Sequence, residues 1–212
     1  MDKINKVTVL GTGVLGSQIA FQTAYSGFEV SVYDIDEAAI AKARQRFDAL
    51  VERYEQEVPG ADGPKLHTAL ARIGFFTDLG AAVADTDLVI EAIPEVLELK
   101  RQTYARLGQL APGKTIFATN SSTLLPSKMK DATGRPDRFL ALHFANEIWK
   151  YNTAEVMGTD DTDPKVFDAL VDFAAAIGMV PIPVRKEKAG YVLNSLLVPL
   201  LNAAAELAAG GY

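Results

Sequence analysis

The chain has 212 residues, a formal net charge of −6 and no cysteine. A chain of this length buries a full core as one domain, or as one domain with part of another. The missing cysteines exclude a disulfide framework, a thiolate metal site and a cysteine nucleophile. The mixed-sign acidic balance argues against nucleic acid as a partner, and the composition agrees with a soluble, cytoplasmic protein. The opening Met1-Asp2-Lys3-Ile4-Asn5-Lys6 has no signal-peptide pattern, because strand pattern begins at once.

Val7 to Gly16 reads Val-Thr-Val-Leu-Gly-Thr-Gly-Val-Leu-Gly, an apolar strand running into Gly-x-Gly-x-x-Gly. This is the fingerprint of a phosphate-binding turn in a dinucleotide-binding βαβ unit. Gly11 allows the tight turn, Gly13 lets backbone approach a pyrophosphate, and Gly16 lets the next helix pack close to the sheet. That helix, from Val14 and Leu15 to about Tyr25, aims its first N–H groups and its dipole at the anion. A second apolar strand, Val30 to Tyr33, ends in Asp34, 18 residues beyond Gly16. A carboxylate there accepts hydrogen bonds from the adenosine ribose and repels a 2′-phosphate, so NAD is expected rather than NADP. The alternative is a glycine-rich turn in some other parallel α/β protein.

Strands and helices go on alternating. An amphipathic helix over about Asp36 to Glu57 places Ile40, Ala43, Phe47, Leu50 and Tyr54 at helical spacing, with Asp36 as N-cap. A Gly/Pro-rich loop over 59–64 leads to a short helix near Leu66 to Ala71 and a strand at Ile73 to Phe76. Asp87 to Glu91 reads as a buried strand end, and Pro94 as the start of a helix to about Leu110. Strands are predicted at Thr115 to Thr119, Arg138 to His143, Thr153 to Met157 and Met179 to Val184, with a helix from Pro164 to Ile177 before the last. Gly190 to Gly210 reads as one apolar helix. Asn194, Ser195, Pro199, Asn202 and Glu206 interrupt it and argue against a membrane span. A helix this apolar belongs in a helical core or against a partner chain, so the sequence is expected to be a fragment or to be covered by another chain.

Three segments fall where strands end, the ligand-binding edge of an open α/β sheet. They are Glu91 to Glu95, Thr119 to Thr123, and His143 to Asn146 followed by Glu155. Taken singly, Asn-Ser-Ser is a common turn or N-cap, the histidine a structural hydrogen-bonding residue, and Glu155 a solvated strand residue. Their arrival at one sheet edge facing the nucleotide weakens those accounts. His67, beside the Gly/Pro loop, reads as surface.

Across essentially its whole length the chain resembles the L-3-hydroxyacyl-CoA dehydrogenase family. The resemblance is carried by Gly11-Thr-Gly-Val-Leu-Gly16, Tyr33-Asp34, Glu91-Ala-Ile-Pro-Glu95 with Lys100, Asn120-Ser-Ser122, His143-Phe-Ala-Asn146, Glu155-Val156 and Gly190-Tyr-Val-Leu-Asn194. It implies that His143 is the base for a substrate 3-hydroxyl, that Glu155 pairs with it, and that Ser122 and Asn194 position substrate oxygens. It implies that Asp34, Glu95, Lys100 and Asn146 contact NAD beside Gly11, Gly13, Val14, Leu15 and Gly16. The implied fold is a Rossmann-type, doubly wound, mostly parallel α/β domain over 1–186. Residues 187–212 are then the linker and first helix of an all-helical domain that makes a homodimer.

The implied reaction is NAD-dependent oxidation of a 3-hydroxyacyl-CoA. Relatives acting on L-gulonate or carnitine share the Ser-His-Glu-Asn pattern, so a small hydroxy acid is the alternative substrate. A silent NAD-binding protein is a further alternative, against which the retained His143 and Glu155 speak. Two departures stand out: Glu147-Ile-Trp-Lys-Tyr151 replaces the family's proline and apolar stretch, and Ala189-Gly190 replaces its Pro-Gly. Lys128, Lys130 and Arg135 are basic candidates for CoA, set against a reading as solvated surface.

Overall fold

The computed structural model describes residues 3–212. Met1 and Asp2, which open the stretch read as lacking a signal peptide, lie outside the described residues. Eight strands form one sheet: β1 (Lys6–Leu10), β2 (Glu29–Tyr33), β3 (Ile73–Phe76), β4 (Leu88–Glu91), β5 (Ile116–Thr119), β6 (Phe139–Phe144), β7 (Thr153–Gly158) and β8 (Val180–Val184). Their order is β3-β2-β1-β4-β5-β6-β7-β8. The chain steps outward from β1 to β3, then crosses back to β4 on the other side of β1. Ligands bind at such a switch point, beyond the C-terminal ends of the strands.

The helices are α1 (Val14–Tyr25), α2 (Glu37–Glu57), α3 (Gly63–Ala71), α4 (Leu79–Val83), α5 (Leu97–Leu110), α6 (Pro164–Ala176) and α7 (Leu193–Ala209). Strand alternation splits the core into two layers. Val7, Val9, Leu88, Ile90 and Leu140 pack with Ile19, Phe21, Phe47 and Phe173 of α1, α2 and α6. Leu10, Val89, Phe117 and Phe139 pack on the other face with Leu79, Val83, Tyr104 and Leu107 of α4 and α5. Helices on both faces of a mostly parallel sheet make this the expected Rossmann-type, doubly wound fold.

One strand pair breaks the parallel pattern. β7 runs antiparallel to β6, with His143 registered against Glu155. The eight residues 145–152 that join them are too few for a parallel crossover, which needs a dozen or more.

Strand starts fall within a residue of the sequence reading, but three helix starts differ from it by three residues. α3 begins at Gly63 rather than near Leu66, because the Asp62 side chain accepts from the Lys65 N–H and Pro64 fits the first turn. α5 begins at Leu97 rather than Pro94, leaving Glu95 in a loop. α7 begins at Leu193 rather than Gly190, because Gly190 (φ 77°) and Tyr191 (φ 51°) are left-handed. α4 and three short 3₁₀ turns between β5 and β6 had no expected counterpart. Asp36 caps α2 as expected, accepting from the Ala39 N–H. No residue of α7 is buried.

Candidate active site

The glycine-rich turn leaves β1 with no room for side chains. A Cβ on Gly11, whose φ is +87°, would meet the Ala92 carbonyl oxygen at 2.7 Å, and one on Gly16 would meet the Gly11 carbonyl oxygen at 1.9 Å. A Cβ on Gly13 would meet nothing within 4 Å. α1 starts there with no side-chain cap and no acidic residue in its first turn. Gly13, Val14, Leu15 and Gly16 line a cleft of about 350 Å³, shared with Glu95, Lys100, Asn120 and Ser122. Uncapped N–H donors at a positive helix end, with open space over the glycine, suit a diphosphate. A cleft of about 400 Å³ between α6 and the start of β1, lined by Ile4, Phe28 and Phe173, holds none of these residues.

Asp34 holds the turn in shape. One carboxylate oxygen accepts from the Thr12 N–H at 2.8 Å and from its hydroxyl. The other accepts from the Ile35 N–H at 2.8 Å. Two lone pairs on each oxygen leave capacity for a ribose hydroxyl. Arg46 of α2 reaches the same spot, donating to the Thr12 carbonyl at 3.2 Å. The sequence reading saw no arginine immediately after Asp34; Arg46 arrives from one face of α2, 12 residues on.

Beneath the cleft lies a buried ion pair. Glu91 and Lys100 are 0% and 1% exposed. Lys100 donates to Glu91 and to the Ile93 carbonyl, and pairs with Glu95 at 3.2 Å. Glu91 also accepts from the Thr119 hydroxyl at 2.8 Å, the Tyr104 hydroxyl at 3.2 Å and the Ile93 N–H at 2.9 Å. A buried pair needs this satisfaction of its remaining lone pairs and protons. Glu95 clasps the β5 loop, accepting from the Ser121 hydroxyl and from the N–H and hydroxyl of Thr123. Burial pushes its carboxyl up, but these bonds and the Lys100 charge outweigh that and hold it at about 2.

The ends of β5, β6 and β7 meet in a line of three side chains. The Asn120 side-chain amide oxygen accepts from the Phe144 N–H at 3.0 Å and ties the β5 loop to β6. Ser122 Oγ stands 3.0 Å from His143 Nε2, and His143 Nδ1 stands 2.9 Å from Glu155 Oε2. His143 and Glu155 are both buried, at 5% and 1% exposed. Burial raises the Glu155 carboxyl, but the His143 hydrogen bond and the Leu193 and Val192 N–H groups outweigh it and hold it below the carboxylate range. An ionised Glu155 only accepts, so a neutral His143 imidazole would carry its proton on Nδ1 and present a lone pair at Nε2. Such a lone pair, beside a serine hydroxyl, can take a proton from an alcohol, and the resulting imidazolium can return it to a ketone.

Glu155 has a second duty. Its other oxygen accepts from the Val192 and Leu193 N–H groups, at 2.9 and 2.8 Å, at the start of α7. Asn194 follows, half-buried in the first turn of α7. Asn146 is more distant: its side-chain amide oxygen accepts from the Gln18 side chain of α1 at 2.9 Å, and the Gln18 side-chain oxygen accepts from the Glu147 N–H. The structure therefore joins Ser122, His143, Glu155 and the base of Asn194's helix, and joins Glu95 to Lys100. Asp34 and Asn146 sit against the turn and α1. Thr12, Gln18 and Tyr191 were not singled out by the sequence reading. A tyrosine inside the quoted Gly190–Asn194 motif was the available signal for the last.

Among the basic residues, Arg135 binds the Gly108, Ala111 and Pro112 carbonyls at the end of α5, and Lys130 pairs with Asp161. Lys128 is exposed. His67 is exposed on α3 and bonded to the Gly63 carbonyl.

Comparison with known proteins gives a consistent result. Residues 6–188 match the model of the 3-hydroxyacyl-CoA dehydrogenase NAD-binding domain. The mitochondrial hydroxyacyl-coenzyme A dehydrogenase of Mus musculus is 37% identical over 208 residues, which are 96% of this chain and 66% of that protein. L-carnitine dehydrogenase of Mesorhizobium japonicum is 31% identical over 93% of this chain and 53% of its own length. A solved diketoreductase, described as acting on dicarbonyl compounds, is 64% identical, with a TM-score of 0.97 over all of this chain and 75% of that one. (S)-3-hydroxybutyryl-CoA dehydrogenase from Ralstonia eutropha is 29% identical, with a TM-score of 0.90 over 99% of this chain and 73% of that one. The chain spans 66% of the length of the mouse relative. With the glycine-rich cleft and the family match over the same residues, the chain belongs to the 3-hydroxyacyl-CoA dehydrogenase family and carries its NAD-binding domain.

Proposed function

We propose that this chain carries the hydride-transfer site of an NAD-dependent dehydrogenase that interconverts a 3-hydroxyacyl-CoA and its 3-ketone. The observation that supports this most is the line Ser122–His143–Glu155, joined at 3.0 and 2.9 Å beside the cleft under the glycine-rich turn. NAD, when bound, would supply the acceptor for the carbinol hydride. Gly11, Gly13, Val14, Leu15 and Gly16 would cradle its phosphates, Asp34 would hold the adenosine ribose, and Glu95, Lys100 and Asn146 would contact the same cofactor. The substrate hydroxyl lies against Ser122 and His143 Nε2, and Asn194 holds it from α7. The hydroxyl proton passes to Nε2, and Glu155 stabilises the resulting imidazolium through Nδ1–H. In the reverse direction the imidazolium returns that proton to the carbonyl oxygen.

On the same reading, residues 1–186 are the NAD-binding domain and 187–212 begin a second, helical unit. Copies associate through α7, whose Leu196, Leu200 and Leu201 are exposed.

A second reading takes a smaller 3-hydroxy acid or a dicarbonyl compound as substrate. It is favoured by the departing 147–151 loop, which is drawn onto α2 by Arg53–Glu147 at 2.7 Å and Trp149–Glu57 at 2.9 Å. The 64% identical diketoreductase favours it too. Both substrate classes place a second carbonyl two carbons from the reacting one. NADH oxidation measured with acetoacetyl-CoA and pentane-2,4-dione, and NAD reduction with L-gulonate and carnitine, separate them. A kcat/KM for acetoacetyl-CoA at least about tenfold above the rest supports the first reading. The reverse order supports the second, and NADH binding without turnover on any of them leaves the silent NAD-binding protein.

A further inference from the structure

Tyr191 takes no part in the proton transfer described above, yet it touches His143 and the residue just before Ser122. Its ring lies flat on the His143 imidazole, with centroids 4.5 Å apart and planes 12° from parallel. The side chain is buried, and its hydroxyl donates to the Ser121 carbonyl at 2.6 Å, one residue before Ser122. Its backbone is left-handed, directly after left-handed Gly190. For a residue with a Cβ that conformation is unfavourable and needs contacts to offset it. The turn sends the ring toward the β6–β7 pair and brings the next two N–H groups to Glu155.

The Nδ1–Glu155 bond alone leaves the imidazole one freedom. Rotation about the side-chain torsions can tilt the ring, carrying Nε2 off Ser122 while Nδ1 stays near Glu155. A flat ring stacked on its face opposes that tilt on one side. A hydroxyl on the Ser121 carbonyl stops the serine from drifting in the other direction. We propose that Tyr191 is a positioning residue for the base: its ring fixes the plane of His143, and its hydroxyl fixes the Asn120–Ser122 loop, so that Nε2 and Ser122 Oγ meet a substrate oxygen together. The proposal rests on the reading of His143 as base.

The test uses the 212-residue chain and its Tyr191→Phe and Tyr191→Leu variants. The chain has two histidines, so exposed His67 is an internal reference for the imidazole resonances of His143. Ring-current displacement of the His143 ring protons is expected in the parent and in Tyr191→Phe, and collapse toward the His67 positions in Tyr191→Leu. In Tyr191→Phe the Ser122 amide resonance should move. With NADH and the best substrate of the panel above, kcat should fall several-fold in Tyr191→Phe and by roughly 10² in Tyr191→Leu, the scale of a misplaced reacting group. NADH affinity should stay within about twofold.

Unmoved His143 resonances in a folded Tyr191→Leu overturn the proposal. So does parent-like kcat in that variant, or a loss of kcat that only follows a parallel loss of NADH affinity. If Tyr191→Leu does not fold, Tyr191→Phe decides alone, and its identity to the parent in both the Ser122 resonance and kcat is the overturning result. If the parent turns over nothing, the functional reading fails by itself, and the resonances still decide the role of Tyr191.

Discussion

At the residue scale the site divides into groups that do chemistry and groups that hold them. His143→Ala is expected to cut turnover by about 10² to 10⁴ with NAD affinity little changed. Glu155→Gln should lose less, and the double variant far less than the product of the two, because they act as a unit; steady-state kinetics of all three check this. On the proposed reading, Asp34 sets the choice of cofactor. NAD should bind at least about tenfold tighter than NADP, or roughly 1.4 kcal/mol. Asp34→Ser should narrow that ratio because it removes the repulsion and leaves Arg46, which donates to Thr12, near the 2′ position. Fluorescence titration of both cofactors against Asp34→Ser and Asp34→Ser/Arg46→Ala checks it, and an unchanged ratio in the single variant defeats it. Glu95 gives a pH prediction. Its carboxyl is held at about 2 in the fold, below its unfolded value, so its contribution to stability is present above about pH 4.5 and is lost as pH falls toward 2. Glu95→Gln should therefore flatten the acid limb of the denaturation midpoint in that window. His143, Glu155 and Asp34 stand out in the sequence as candidates because each is a chemistry-bearing type on, or directly after, a strand. Arg46 and Tyr191 were not, because their partners lie far along the chain and a helical arginine or an aromatic beside a glycine has no local mark of its task.

At the element scale, regular segments were legible from hydrophobic period and caps, and irregular ones were not. α2 and α6 carry that period, whereas α1 is marked by the glycine turn before it and β4, β5 and β6 are fully buried runs. α4 is only five residues long, too short for it to show. The β5–β6 connection is built from 3₁₀ turns held by side chains, such as Thr133 on the Lys130 carbonyl, which leave no apolar rhythm. The start of α5 was misplaced because Pro94 marks a helix start as readily as a loop, and here Glu95 is drawn off to Ser121 and Thr123. The ion pair at the edge of β4 gives a prediction at this scale. Lys100→Met should destabilise the fold by about 3–5 kcal/mol, since it leaves the Glu91 charge buried without its partner. Lys100→Met/Glu91→Gln should recover part of that loss. Chemical denaturation of the three proteins measures it, and a double variant no better than the single refutes it.

At the scale of the whole molecule, α7 stands apart. Leu196, Leu200 and Leu201 are 69%, 66% and 56% exposed, and covering each is worth roughly 1.5–3 kcal/mol. The 212-residue chain should therefore self-associate or bind a hydrophobic dye, and Leu200→Glu/Leu201→Glu should reduce both while leaving NADH affinity unchanged. Sedimentation and dye fluorescence check this, and a dye-silent monomer in the parent defeats it. No helix among the described residues is long and apolar enough to cross a membrane. The two oxygens of Glu155 serve different clients: one orients His143 and the other receives the first N–H groups of α7. A single carboxylate thus makes the attachment of the helix and the aim of the imidazole two sides of one equilibrium. If His143 is the base, thermodynamic reciprocity makes any coupling through Glu155 mutual: steadying α7 steadies the imidazole, and a substrate that steadies the imidazole steadies α7. An exposed helix and a buried pair of side chains thus share one carboxylate.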